Sequence, residues 1–79
     1  MKKEEIIDTV KEFLVDEFEI EEELLEPDAN LRDDLDIESL DFVDIAVEVE
    51  KKFGFKMAGE EMVNVQTLDD LYNYILKKA

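Results

Sequence analysis

Apolar residues recur along this chain at helical spacing, and no stretch alternates over the length of a strand. Ile6, Ile7, Val10, Phe13, Leu14 and Phe18 lay one stripe along a helix predicted from Lys3 to about Phe18. Glu4, Glu5 and Asp8 fall in its first turns, where the helix dipole favours anions. A second helix is predicted over Ser39–Phe53. Val43, Ala46, Val49, Glu50 and Phe53 keep its 3.6-residue period, with Glu50 at the stripe's edge, while Leu40, Phe42, Ile45 and Val47 widen the apolar surface beyond one stripe. Such a helix is either buried on several sides or shows hydrophobes to a partner. Lys51 and Lys52 suit its last turn, and Gly54 follows where positive φ ends a helix. Gly59–Val63 predicts a short third helix. Thr67-Leu68-Asp69-Asp70 reads as a capping box with Asp70 in the usual Glu or Gln place. Leu68, Leu71, Tyr72, Ile75 and Leu76 then form the stripe of a last helix closed by Lys77 and Lys78. The expectation is an all-α fold: a small bundle of three main helices plus one short helix, in a single domain spanning residues 1–79.

The long connection from Glu19 to Asp36 has its own pattern. Glu21-Glu22-Glu23 is a like-charge run best left in water, and Ile20, Leu24 and Leu25 are expected to tack the loop onto the core. A short helical turn fits Glu21–Leu25. Pro27-Asp28-Ala29-Asn30 has turn chemistry, because proline fixes φ and Asp and Asn bond nearby backbone. Leu31 and Leu35 at i, i+4 predict one more helical turn. A loop of this length in so small a domain usually has a functional reason.

Charge sharpens the picture. The net charge is −15, and residues 12–50 hold 17 acids against one base, Arg32. Nucleic acid is therefore not an expected partner, since phosphate binding needs Lys and Arg. The acidity suits either partners with basic patches, through steering, or simple solubility. Charged residues make up 42% of the chain, yet hydrophobic residues make up 46% and fall in register, which sets it apart from disordered acidic chains. No apolar run is long enough to span a membrane, and Met1-Lys2-Lys3-Glu4-Glu5 does not open a secretory signal. A cytoplasmic monomer is expected.

The chain contains no His and no Cys, so a Ser-His-Asp or Cys-His arrangement cannot be built. Two glycines are too few for a P-loop or a dinucleotide fingerprint. An EF-hand loop begun at Asp28, Asp34 or Asp36 lacks the glycine at position six, so no built metal site is expected, and loose divalent-cation binding by the clustered carboxylates stays open. The parts of an enzyme are missing. Ser39, at the start of the second helix among acids, reads on its own as a helix cap or first-turn residue.

Its neighbours change that reading. Leu35-Asp36-Ile37-Glu38-Ser39-Leu40-Asp41 resembles the modification site of acyl carrier proteins, whose usual pattern is Leu-Gly-hydrophobic-Asp-Ser-Leu-Asp/Glu. Ala29-Asn30-Leu31 with Asp33-Asp34-Leu35 resembles that family's approach to the serine. Val43 to Phe53 resembles its second helix, and Val65-Gln66-Thr67-Leu68 the lead-in to its last. The resemblance covers nearly the whole chain without a gap. Asp36 stands where the family has glycine, Glu38 where it has aspartate, and Ala58-Gly59 where it has a proline. These departures suit a specialised standalone carrier.

The resemblance implies a non-catalytic protein carrying acyl intermediates as thioesters on a 4′-phosphopantetheine arm at Ser39, for fatty acid or related biosynthesis. A phosphopantetheinyl transferase would attach the arm. Acyl-transferring and condensing enzymes with basic patches would dock on Glu38, Leu40, Asp41, Asp44, Val47 and Glu48. Val43, Ile45, Ala46, Met57, Met62 and Leu71 would line an acyl cavity. The alternatives are a carrier of aminoacyl or polyketide-type intermediates, and an unmodified acidic interaction module.

The charge distribution makes a testable statement about stability. Repulsion within residues 12–50 is screened by salt. Added NaCl, Mg²⁺ or Ca²⁺ is therefore expected to raise the melting temperature, and a melting temperature indifferent to salt would show that the repulsion is unimportant.

Overall fold

The stripe Ile6, Val10, Phe13 and Leu14 is fully buried along the first helix, α1, which runs Lys3–Asp16. The computed structural model describes residues 2–57 and 59–78, with Ser39, Gly59 and Glu60 placed by backbone alone. Ala58, in the place of the family's proline, lies outside the described residues. The further helices are α2 (Ser39–Phe53), α3 (Gly59–Met62) and α4 (Leu68–Lys78), with a single 3₁₀ turn at Glu22–Leu24. No strand forms among the described residues; one isolated antiparallel bridge pairs Asn30 with Thr67. The fold is thus the expected all-α bundle, and no described helix is long and apolar enough to cross a membrane.

α1 stops two residues before Phe18. The Glu17 N–H bonds to the Phe13 carbonyl at 2.8 Å, and Glu19 then takes a left-handed φ of 55°. The Ile20 N–H reaches back to the Leu14 carbonyl at 3.2 Å. Phe18 still packs on the core through the Phe13 ring, with centroids 6.4 Å apart. Of the three residues expected to tack the loop down, Leu25 is buried and Ile20 is half-buried, but Leu24 is exposed.

The core is built mainly by α1 and α4, which pack more extensively on each other than α1 does on α2. α4 contributes Leu68, Leu71, Tyr72 and Ile75, while Leu76 lies outside the stripe and is exposed. Its start is the expected capping box: the Asp70 N–H donates to Thr67 Oγ1 at 3.2 Å, and the Thr67 N–H donates to Asp70 Oδ2 at 3.1 Å. Lys3 Nζ meets Asp69 Oδ1 at 3.1 Å, an exposed pair worth little by itself.

α2 differs from its expected phase. It buries Ile45 and Val49, with Phe42, Ala46 and Phe53 half-buried beside them, whereas Val43 and Glu50 face outward. Both phases satisfy a 3.6-residue period, because apolar residues occupy most of the helix circumference; packing selects between them. The helix ends as expected, with Gly54 at φ 81° and its N–H on the Glu50 carbonyl.

The connection into α2 is part of the core. Leu25, Ala29, Leu31, Leu35 and Ile37 are all buried. Three backbone bonds hold it to the start of α4: Asp69 N–H to the Pro27 carbonyl at 2.9 Å, Leu68 N–H to Ala29 at 3.1 Å, and Leu31 N–H to Gln66 at 2.8 Å. The helical turn expected at Leu31–Leu35 is a hydrogen-bonded turn that does not continue as a helix. The Asn30 carbonyl accepts the N–H groups of Asp34 and Leu35, then Asp36 takes φ 56°, and the Ile37 N–H returns to the Leu31 carbonyl at 2.9 Å.

Two stability predictions follow from particular groups. The Tyr72 hydroxyl is buried without a hydrogen-bond partner among the described residues. Burial, helped by the Asp69 charge, pushes its pKa up to about 12. Removing an unsatisfied hydroxyl is expected to gain about 1 kcal/mol, so Tyr72→Phe should raise the melting temperature by several degrees. The raised pKa favours the neutral phenol in the folded state. The group therefore leaves stability independent of pH below pH 10 and lowers it as pH rises from there through about 12, because the unfolded chain ionises first. The wild type should therefore lose more stability than Tyr72→Phe across that window in thermal melts; equal losses would show that the phenol is not involved. At Asp36, a non-glycine residue in the left-handed region costs about 1 kcal/mol. Asp36→Gly should stabilise by that order, whereas Asp36→Ala, which removes the same charge, should not; denaturant titration of the two variants separates strain from charge.

Candidate functional site

Across four residues the chain passes from core to solvent. Ile37 is buried, Glu38 is exposed, and Leu40 is 80% exposed. Ser39 sits at that crossing as the first residue of α2, with Glu38 as the extended N-cap at φ −94° and ψ 174°. This is the first-turn position, one step past the cap. The side chain of Ser39 lies outside what the structure describes. The local backbone is fixed by the Glu38 N–H on Asp41 Oδ2 at 3.1 Å and the Phe42 N–H on the Glu38 carbonyl at 3.1 Å. Asp41 thereby takes up an N–H at a helix start, where a carboxylate is also favoured by the dipole.

A cleft of about 700 Å³ opens beside the next turns of α2. That volume is within the range of roughly 300–1,000 Å³ usual for small-molecule sites. Phe42, Val43 and Ala46 form its α2 wall, at i+3, i+4 and i+7 from Ser39, the spacing of one helix face. Met57, Met62, Val63 and Val65 form the facing wall around α3. Asn30, Leu31, Arg32 and Asp33 of the connection, with Gln66, complete the lining. Methionine adapts to variable shapes, which suits a cleft of changing contents.

The residues named from the sequence for an acyl cavity divide. Val43, Ala46, Met57 and Met62 line this cleft. Ile45 and Leu71 do not: each is 1% exposed and belongs to the core. Ile45 lies on the edge of α2 that packs inward together with Val49, and Leu71 on the stripe of α4 with Leu68, Tyr72 and Ile75. Phe42 was recognisable by its i+3 spacing from Ser39. Leu31 and Val63 were legible only as parts of a short helical turn and a short helix, Val65 carries no periodic signal, and Asn30, Arg32, Asp33 and Gln66 reach the cleft through the long-range pairing of the connection with the start of α4.

The residues named for partner recognition all lie near the start of, or along, α2. Leu40, Val43 and Val47 are exposed at i, i+3 and i+7, an apolar stripe that packing leaves uncovered. Glu38, Asp41, Asp44 and Glu48 accompany it; Glu38 and Asp44 are exposed, and Asp41 and Glu48 half-exposed. No group of three or more carboxylates close enough to hold a metal ion occurs among the described residues.

Comparison with known proteins agrees with this geometry. A family described as a phosphopantetheine attachment site matches residues 8–75. The chain is 35% identical over 78 residues to an acyl carrier protein of Petrotoga mobilis, covering 99% of this chain and 92% of that protein. It is 36% identical over 75 residues to one of Coprothermobacter proteolyticus, covering 95% and 92%. It is also 39% identical over 75 residues to a meromycolate extension acyl carrier protein of Mycobacterium tuberculosis, covering 95% of this chain and 65% of that one. Members of this family are carriers rather than catalysts, bear a phosphopantetheine group, and receive it from a phosphopantetheinyl transferase. The chain belongs to the acyl carrier protein family.

Proposed function

We propose that this protein carries acyl intermediates on a 4′-phosphopantetheine arm attached to Ser39, and hands them to fatty acid or related biosynthetic enzymes. The observation that carries the reading is the place of Ser39 at the exposed start of α2, on the helix face that continues into the apolar cleft. An anchor at this point leaves an arm free to extend into solvent toward an enzyme, or to lie back along Phe42, Val43 and Ala46. When bound, the group supplies a thiol on a long tether, on which the cargo rides as a thioester. The chain's own residues present the anchor and shelter the cargo from water.

The apolar stripe Leu40, Val43 and Val47, with Glu38, Asp41, Asp44 and Glu48 around it, is the docking face in this reading. Its charge steers enzymes with basic patches, while its apolar centre supplies burial on contact. The apolar cleft walls favour a fatty acyl cargo over an aminoacyl one, whose charged amine would have to be desolvated there. The protein acts as a monomer in the cytoplasm.

Incubation with a phosphopantetheinyl transferase and coenzyme A tests the reading. Intact mass should show the gain of one phosphopantetheine on the wild type and none on Ser39→Ala. No adduct on the wild type, or an adduct on Ser39→Ala, would make Ser39 the wrong anchor.

A further inference from the structure

The segment carrying Ser39 is closed at its neck by one side chain. Asn30 Oδ1 accepts the backbone N–H groups of Arg32 and Asp33, each at 2.9 Å. The Asn30 N–H donates to Asp34 Oδ2 at 2.7 Å, and its carbonyl accepts Asp34 N–H at 2.9 Å and Leu35 N–H at 3.1 Å. The same residue pairs with Thr67 across the isolated bridge, with Leu31 N–H on the Gln66 carbonyl beside it. Asn30 therefore joins two systems: the turn that leads to Ser39 and the fixed start of α4.

The route onward is short. The turn delivers Leu35 and Ile37 into the core, 6% and 2% exposed, with the left-handed Asp36 between them. Ile37 is the last buried residue before the N-cap Glu38, and Ser39 follows directly. A loosened turn lets Leu35 and Ile37 shift, and the start of α2 shifts with them. Helix α2 itself is held independently, by Ile45 and Val49 in the core and by Gly54 at its end. Loss of the Asn30 bonds thus disturbs the presentation of Ser39 more than the fold.

We propose that Asn30 is a positioning residue for the modification of Ser39, an inference that rests on the carrier reading above. In that reaction the serine oxygen attacks the pyrophosphate phosphorus next to the pantetheine arm of coenzyme A and a phosphodiester forms. Adenosine 3′,5′-bisphosphate leaves, and the serine proton passes to a base of the transferase. Asn30 touches none of the reacting atoms; it keeps the segment in the conformation the transferase docks on. An enzyme that binds only that conformation sees an affinity reduced by the fraction of chains adopting it. The effect belongs in KM for the carrier, with kcat little changed.

Steady-state modification by a phosphopantetheinyl transferase and coenzyme A provides the test, on variants verified as folded by circular dichroism at the assay temperature. Asn30→Ala is expected to raise KM for the carrier about tenfold if one chain in ten keeps the docking conformation. Asn30→Ser should recover most of the loss, since its hydroxyl accepts the same turn N–H groups. Asp34→Ala should raise KM while Asp33→Ala should not, although both remove one negative charge, because of the two only the Asp34 carboxylate accepts the Asn30 N–H. If Asn30→Ala does not fold, Asn30→Ser and the Asp34/Asp33 pair still decide. An unchanged KM in Asn30→Ala, a loss in kcat alone, a failure of serine to rescue, or equal effects at Asp33 and Asp34 would overturn the role of Asn30. An unmodified wild type would instead overturn the carrier reading itself.

Discussion

Three backbone hydrogen bonds between residues 27–31 and residues 66–69 set the geometry on which the rest depends. They join an irregular connection to the start of α4, and so fix where Leu31, Leu35 and Ile37 enter the core. A chain of 79 residues has little apolar surface to spare. Helix α2, the longest, has two fully buried side chains among those described, Ile45 and Val49. The connection makes up the difference with five buried residues of its own, which lets α2 keep Leu40, Val43 and Val47 uncovered. Loop and helix have exchanged their usual roles: the loop is core, and a face of the helix is left for contact.

How much of this could be read from sequence varies with the kind of signal. Helix limits were legible where local chemistry marks them. Gly54 ends α2, and Thr67 with Asp70 starts α4, because caps are short-range interactions. The inward face of α2 was not legible. Apolar residues at 40, 42, 43, 45, 46, 47 and 49 fit more than one phase, and only contact with α1 and the rest of the core selects Ile45 and Val49. The same ambiguity moved Ile45 from cleft to core. Leu71 went with it because a periodic stripe reports burial, not which burial: core and cleft wall look alike in one dimension. Asn30 was visible only as a turn former, since its pairing with Thr67 crosses 37 positions of sequence. Asp36 shows the reverse case. Its φ of 56° is the left-handed conformation that the family's glycine adopts without strain, which the sequence alone does not reveal.

The acidic excess bears on both halves of this arrangement. Fifteen of the seventeen acids between residues 12 and 50 lie on the connection and on α2, the two segments that hold and surround Ser39; Glu12 and Asp16 lie on α1. Apart from Arg32, the bases lie outside that stretch: Lys3 reaches Asp69 and Lys78 reaches Glu61, while Lys51 and Lys52 sit at the far end of α2. These two ion pairs link α4 to α1 and α3, while the acids between residues 33 and 48 have no base among them in sequence. A basic surface approaching that side relieves repulsion as well as gaining attraction, so complementarity there has two sources.

The pairing of residues 27–31 with residues 66–69 also has a meaning in time. A hydrogen bond cannot form before both partners have been synthesised, and Asp69 is made long after Ser39. On a ribosome, the serine emerges well ahead of the segment that braces its approach. Until Gln66, Leu68 and Asp69 follow, the turn closed by Asn30 has nothing to rest against, and Leu31 and Ile37 have no finished core to enter. The start of α2 in its final form is thus a property of a chain synthesised through Asp69, and folding itself sets the earliest moment at which the serine is displayed.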